Sequence, residues 1–271
     1  MRVIAHISDL HFGKIDRLLE QALMDDLYAL RPSLVAISGD LTQRALPHQF
    51  KRAQMYLDQL PAPFIVVPGN HDIPLFDVTR RFLLPLMRYK HYITRHLSPL
   101  YVDQEISVFG LNSARSFTLE NGKISAKQLK KMEEVFATLP KDTLKIIVTH
   151  HPFLRPPGAG THRRLVVGAE KALQAFQRCG VDLLLTGHFH RTHISDVRMV
   201  YPQITHPMIH VQAGTAISTR IREQRNSYNI LTLDGGKLSI RSREWNGEAF
   251  EDTKLHAAFV KKAGIWKEKT R

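Results

Sequence analysis

The stretch Val3-Ile4-Ala5-His6-Ile7-Ser8-Asp9-Leu10-His11 decides how the fold is read. A short β-branched run that ends on a carboxylate and an imidazole two residues apart has the form of a buried strand whose C-terminal loop carries chemistry. The same form recurs along the chain. Leu34 to Ile37 runs into Gly39-Asp40, and Phe64 to Val67 into Gly69-Asn70-His71. Lys145 to Val148 runs into Thr149-His150-His151, and Asp182 to Leu185 into Gly187-His188-Phe189-His190. In an open α/β sheet the loops leaving the carboxyl ends of parallel strands share one edge, so donors distant in sequence converge there. Five strand ends therefore supply one pocket.

Helical stretches separate these strands. Leu18, Leu19, Ala22, Leu23, Leu27 and Leu30 recur at helical spacing before Pro32, and Pro47 opens a helix carrying Phe50, Met55 and Leu57. Phe76 to Leu97 reads as helix broken near Pro85, Ser125 with Gln128 forms a capping box ahead of a helix through Phe136, and Gly168 to Arg178 is helical. Ser107 to Leu111 and Met208 to Gln212 read as further strands, and Tyr228 to Leu233 pairs with Leu238 to Trp245 through Gly235-Gly236. With no repeat and no linker-like segment, one domain is expected over residues 1–250, followed by a basic tail at 251–271.

The donors that leave these strands are Asp9, His11, Asp40, Asn70, His150, His188 and His190. With 15 histidines in the chain, any single one is weak evidence, but five matching strand ends in order are not. Imidazole nitrogens, carboxylate oxygens and one amide oxygen make mixed sites suited to manganese, iron, zinc or cobalt. Two such ions lying about 3.5 to 4 Å apart need a bridging ligand, and Asp40 is the middle candidate.

In these motifs the sequence resembles the calcineurin-like metallophosphoesterase superfamily. Asp9-Leu10-His11, Gly39-Asp40, Gly69-Asn70-His71-Asp72, His150 and Gly187-His188-Phe189-His190 match its pattern in order over residues 9 to 190. The Gly-Asn-His-Asp and His-His-Pro forms look most like class III cyclic nucleotide phosphodiesterases. The resemblance implies a four-layer αββα sandwich, two mixed β-sheets flanked by helices, with the metal site at strand C-terminal ends. It implies one divalent ion (Mn²⁺, Fe²⁺/Fe³⁺ or Zn²⁺) on Asp9, His11, Asp40 and His190, and a second on Asp40, Asn70, His150 and His188. His151 is then a supporting residue. His71 is placed near the leaving-group oxygen as a proton donor or charge stabiliser. Many members carry an acid three residues past the bridging aspartate to orient that histidine. Here the position is Gln43, so His71 relies on Asp72 or another partner, or plays a weaker acid role.

The expected reaction is hydrolysis of a small phosphodiester such as a 3′,5′-cyclic nucleotide, by attack of a metal-bridged hydroxide. Arg44, Arg115, Arg191 and Arg220, with Arg222, are the candidate phosphate contacts, since a guanidinium fork matches phosphate oxygens. A net charge of +13 favours small anionic partners without choosing among them. The single Cys179 excludes an internal disulfide and any cysteine-based metal cluster. No apolar run reaches the ~18 residues a bilayer demands, and the N-terminus lacks a secretory pattern, so a cytoplasmic location is expected.

The alternative is a peripheral-membrane pyrophosphatase on a lipid-linked nucleotide sugar, like UDP-2,3-diacylglucosamine hydrolases. Leu255, Phe259, Val260, Ile265 and Trp266 among Lys261, Lys262, Lys267 and Lys269 motivate it, as a stretch that would sit at the inner membrane face. His71 counts against it, because a main group of those hydrolases has arginine there. Nucleic acid is disfavoured as a partner, because superfamily nucleases carry added DNA-binding parts for which this chain has little room.

Overall fold

A computed structural model describes residues 1–118, 120–158, 165–220, 224–262 and 265–269. Arg222 lies outside these residues, and the side chain of Leu255 outside the described side chains. The N-terminal half runs β1 (Arg2–Ile7), α1 (Arg17–Leu30), β2 (Leu34–Ile37), α2 (Pro47–Leu57) and β3 (Phe64–Val66), then α3 (Val78–Leu83), α4 (Met87–Tyr92), β4 (Leu100–Val102) and β5 (Ile106–Gly110). It continues through β6 (Gly122–Lys123), α5 (Ala126–Thr138), β7 (Leu144–Val148), β8 (Val166–Val167), α6 (Ala169–Arg178), β9 (Leu183–Thr186) and β10 (His193–Asp196). The chain closes with β11 (Ile209–Gln212), β12 (Ser227–Asp234), β13 (Lys237–Trp245), β14 (Phe250–Lys262) and β15 (Ile265–Glu268).

Local chemistry sets the helix ends. Asp16 caps α1 by accepting from the Leu18 N–H, and α1 buries Leu19, Leu23, Met24 and Leu27 while Leu18 faces water. Ser125 and Gln128 form the capping box of α5. The stretch around Pro85 divides into α3 and α4, as its proline requires. Met55, expected on the apolar side of α2, is exposed, and Phe50, Ala53 and Tyr56 form the buried face instead.

Two mixed sheets stack face to face. One has the order β15-β14-β13-β12-β1-β2-β3, with β1, β2 and β3 parallel and the rest antiparallel. The other has the order β10-β11-β9-β7-β5-β4, with parallel pairing from β11 through β5. Ile4, Leu34, Ala36, Ile146, Val148 and Leu185 belong to the core between the sheets. A second core packs α1 and α2 on the first sheet, and a third packs α5 and α6 on the other. The molecule is thus the four-layer αββα sandwich.

The segment expected as a basic tail is folded. Its β14 pairs with β13 and its β15 with β14, extending the first sheet by two strands. Phe259 and Trp266, which motivated the membrane reading of this segment, are buried in the core between the sheets. Lys267 stands on the edge strand β15, where charge discourages pairing with another chain. No described helix is long and apolar enough to cross a membrane.

Towards the site the core between the sheets turns polar. On β1, Ile4 gives way to His6, whose Nε2 lies 3.0 Å from Ser38 Oγ, with Asn229 of β12 beside it. On β11, His210 Nε2 lies 2.9 Å from Thr186 Oγ1. Burial pulls both His6 and His210 down to about 3 from the ordinary 6.5. A depressed histidine adds stability above pH 6.5 that is lost as pH falls, at about 1.4 kcal/mol per pH unit per group until the folded value is reached. Urea unfolding at pH 7, 6 and 5 should show this loss, and His210→Gln should reduce its slope. An unchanged slope contradicts the assignment. Trp266→Ala should cost about 3 to 5 kcal/mol in the same measurement, whereas a loose tail would give no change.

Candidate metal centre

Every sequence-predicted donor lies at one edge of the sandwich. Asp9 and His11 follow β1, Asp40 follows β2, Asn70 follows β3, His150 follows β7, and His188 and His190 follow β9. The chain bends sharply to aim them. Asp9, His11, Asp40, His188 and His190 all have φ between 51° and 75°, a left-handed conformation that costs non-glycine residues energy. Two glycines permit the close approach. A Cβ on Gly187 would strike Ser8 Oγ and Asp9 Oδ2, and one on Gly69 would strike Asp40 Oδ1.

Each carboxylate is half engaged. Asp9 Oδ2 accepts from Ser8 Oγ at 2.7 Å and from the His188 N–H at 3.0 Å, which leaves Oδ1 buried without a hydrogen-bond partner. Asp40 Oδ1 accepts from the His71 N–H at 2.8 Å, leaving Oδ2 free to face the histidines. The imidazoles are oriented from behind in the same way. His150 Nδ1 donates to the Ser38 carbonyl at 2.8 Å and His190 Nδ1 to the Arg220 carbonyl at 3.1 Å, so each ring is turned with its Nε2 towards the carboxylates.

The free atoms form two groups that share Asp40 Oδ2. In the first, His190 Nε2 is 3.1 Å from both His11 Nε2 and Asp9 Oδ1, and His11 Nε2 is 3.8 Å from Asp40 Oδ2. In the second, His150 Nε2 is 3.3 Å from Asp40 Oδ2 and 3.1 Å from Asn70 Oδ1, with His188 Nδ1 also 3.1 Å from Asn70 Oδ1. Ligands about 2.1 Å from a common ion lie roughly 3.0 to 3.4 Å apart at tetrahedral or octahedral angles. The donor set therefore fits a pair of divalent cations in both chemistry and spacing.

The electrostatics agree. Burial alone would raise Asp40, but the surrounding histidines, His150 first, hold its carboxyl well below the usual range. Burial pulls His150 down, yet the Asp40 and Asp9 carboxylates outweigh it and push it up to about 9. Burial, with the charge of His150 next, brings His188 down to about 3. The Asp9 and Asp40 carboxylates and the His150 ring thus stabilise one another's charged forms.

Above the donors a pocket of about 100 Å³ is lined by Asp40, Asn70, His71, Glu120, His188, His190 and Arg220. At ~30 Å³ per liquid water it accommodates a phosphate group, with larger substituents left over the rim. His71 is held by a partner with no side-chain signature: its Nδ1 donates to the backbone carbonyl of Gln43 at 2.9 Å, and its Nε2 faces Arg220 Nη1 at 3.0 Å. Asp72 is not that partner. Its carboxylate accepts from the N–H groups of Gly69, Leu41 and Thr42 and from Thr42 Oγ1, stapling the Asn70 loop to the Asp40 loop.

Of the described arginines read as phosphate contacts, only Arg220 lines this pocket. Arg44 stacks 4.7 Å over Phe76. Arg115 binds the carbonyls of Asn112 and Ala114 and the side chain of Gln128, and Arg191 binds the carbonyl of Pro157. His151 lies behind His188, with Nδ1 2.8 Å from Ser113 Oγ. Glu120 escaped the sequence reading because it stands in a loop with no motif.

Comparison with known proteins agrees with this architecture. The chain is 25% identical over 206 residues to a probable cyclic nucleotide phosphodiesterase of Synechococcus, covering 70% of this chain and 74% of that protein. It is 26% identical over 211 residues to a probable glycerophosphodiester phosphodiesterase of Arcobacter nitrofigilis, covering 70% and 72%. A dimetal phosphatase from Danio rerio superimposes with a TM-score of 0.66 at 16% identity, over 94% of this chain and 98% of that one, which shows a common fold. Residues 2–192 match the family described as calcineurin-like phosphoesterase. The chain belongs to the calcineurin-like phosphoesterase family and is a metal-dependent phosphoester hydrolase.

Proposed function

We propose that the protein is a dinuclear phosphodiesterase acting on small diesters such as 3′,5′-cyclic nucleotides. The observation that carries this reading is the single oxygen, Asp40 Oδ2, shared by two donor groups beneath one phosphate-sized pocket. Asp9, His11, Asp40 and His190 would hold one divalent ion, and Asp40, Asn70, His150 and His188 the other. When bound, such a pair supplies a water acidified to near neutral pH and Lewis-acid stabilisation of phosphoryl charge.

The protein's own groups supply the rest. With His71 Nδ1–H committed to the Gln43 carbonyl, any proton the ring gains goes to Nε2, the atom facing Arg220 and the pocket. That proton is positioned for the departing oxygen as the phosphorus–oxygen bond breaks. A substrate phosphate entering beside Arg220 takes over the guanidinium donor now directed at Nε2, which frees the ring for transfer. Glu120 at the pocket opposes the second negative charge of a monoester, and this supports diesters as substrates. The two relatives named as phosphodiesterases point the same way.

Metal-stripped protein should regain hydrolysis of bis-p-nitrophenyl phosphate and 3′,5′-cyclic AMP on addition of Mn²⁺, with p-nitrophenyl phosphate slower. Asp40→Ala should abolish all of it. Activity that survives in Asp40→Ala, or that needs no metal, sinks the two-metal reading. His71→Gln should keep Mn²⁺ binding, followed by calorimetry, while kcat on the diesters falls by about 10²- to 10⁴-fold. A His71→Gln variant with wild-type kcat would remove the residue from the chemistry.

A further inference from the structure

Single apolar side chains in water are ordinary on any surface, but one stretch here concentrates them. Between Pro74 and Met87, Phe76 is 75% exposed, Val78 62% and Leu83 73%, with Phe82 and Leu84 near half exposed. Phe117, 87% exposed on the loop after β5, brings its ring 5.3 Å from that of Phe82. The buried Arg81 joins the two segments, donating to the Pro74 carbonyl at 3.0 Å and to the Thr118 carbonyl at 2.9 Å. They form one braced lip.

The lip borders the catalytic pocket. Glu120, two residues past Thr118, lines the pocket with His71. On the other flank Arg44 stacks on Phe76, and the neighbouring Gln43 carbonyl holds His71. Whatever covers the apolar side chains also meets the pocket mouth.

Charge distinguishes the occupants. Residues 74–90 carry Arg80, Arg81, Arg88 and Lys90 against Asp77 alone, and Asp77 is already paired with Arg80. A second copy of this chain would set the same net-positive stretch against itself, so self-association through the lip is opposed by like charge. An anionic bilayer matches both parts of the lip, offering phosphates to the exposed Arg80 and Lys90 of this net-positive stretch and hydrocarbon to the projecting phenylalanines and aliphatic side chains.

We infer that this lip docks the protein on an anionic lipid surface with the pocket mouth at headgroup depth, and that its substrates are phosphodiesters bearing an apolar chain. The substrate half of this inference rests on the phosphodiesterase reading above; the docking half does not.

Flotation with phosphatidylcholine vesicles, with and without about one third phosphatidylglycerol, compares the wild type with the combined variant Phe76→Ser, Val78→Ser, Leu83→Ser and Phe117→Ser, its fold checked by circular dichroism. The wild type should float with the anionic vesicles only, less so as salt rises, and the variant should lose about tenfold or more in partitioning. With Mn²⁺, the wild type should prefer hexadecyl over methyl p-nitrophenyl phosphate. The variant should lose that preference while turning over the methyl ester to within about twofold of wild type, because no substituted residue lines the pocket.

Absence of wild-type flotation, or flotation equal in the variant, overturns the docking. Concentration-dependent dimerisation of the wild type, lost in the variant without any lipid binding, also overturns it and assigns the lip to self-association. An equal rate on both esters in the wild type overturns the substrate class. No turnover of either ester in any metal sinks the phosphodiesterase reading and the substrate class with it, and flotation still decides the docking.

Discussion

Two buried carboxylates, Asp9 and Asp40, must be held close together out of water, and the rest of the architecture follows from that requirement. Removing an ion from water costs several kcal/mol even after relaxation, and two like charges side by side add repulsion. The fold answers by giving each carboxylate one engaged and one open oxygen, with backbone N–H groups on the engaged side and imidazoles on the open side. Open oxygens and imidazole nitrogens converge at 3.1 to 3.8 Å, and Asp9 Oδ1 is left buried without a hydrogen-bond partner. A pair of cations resolves that frustration, which is why the arrangement reads as a site built for metal.

Holding such a cluster takes rigidity, and the rigidity comes from the two-sheet core. Parallel strands deliver the donor loops to one edge, while the left-handed backbone of the donors Asp9, His11, Asp40, His188 and His190 turns their side chains inward. That backbone is unfavourable in isolation. It persists because glycines 69 and 187 let neighbouring loops touch and because Asp72 ties the second and third strand loops together with four accepted hydrogen bonds. Mutual packing of loops, beyond the choice of ligands, defines the centre.

The donors were readable in the sequence because each lies a few residues beyond a continuous buried strand, where local pattern and function coincide. The features that escaped depend on something pattern does not encode. The partner of His71 is a backbone carbonyl, and a search for an acid at position 43 could not find it because every residue type carries that group. In β14 the buried Ala257 and Phe259 alternate with the half-buried Ala258 and Val260, an apolar-on-apolar pattern with little contrast that the reading as a basic tail passed over. The apolar residues of α3 carried a helix signal, but whether a helix face is covered depends on a neighbour, and here Val78 and Leu83 stand in water.

Arginine shows the same limit from the opposite side. Proximity to a strand end suggested several phosphate ligands, yet Arg115 and Arg191 spend donors on backbone carbonyls, as does Arg81, which no motif singled out. A guanidinium has five N–H donors in a fixed fork, so it satisfies a turn's stray carbonyls as readily as a phosphate. The positive charge of these three residues therefore serves structure. Arg220 differs because its two ends do separate work: its carbonyl receives the His190 Nδ1–H while its guanidinium enters the pocket beside His71. One residue thereby links the orientation of a candidate metal ligand to the charge that meets substrate, so a shift of its loop would disturb both together.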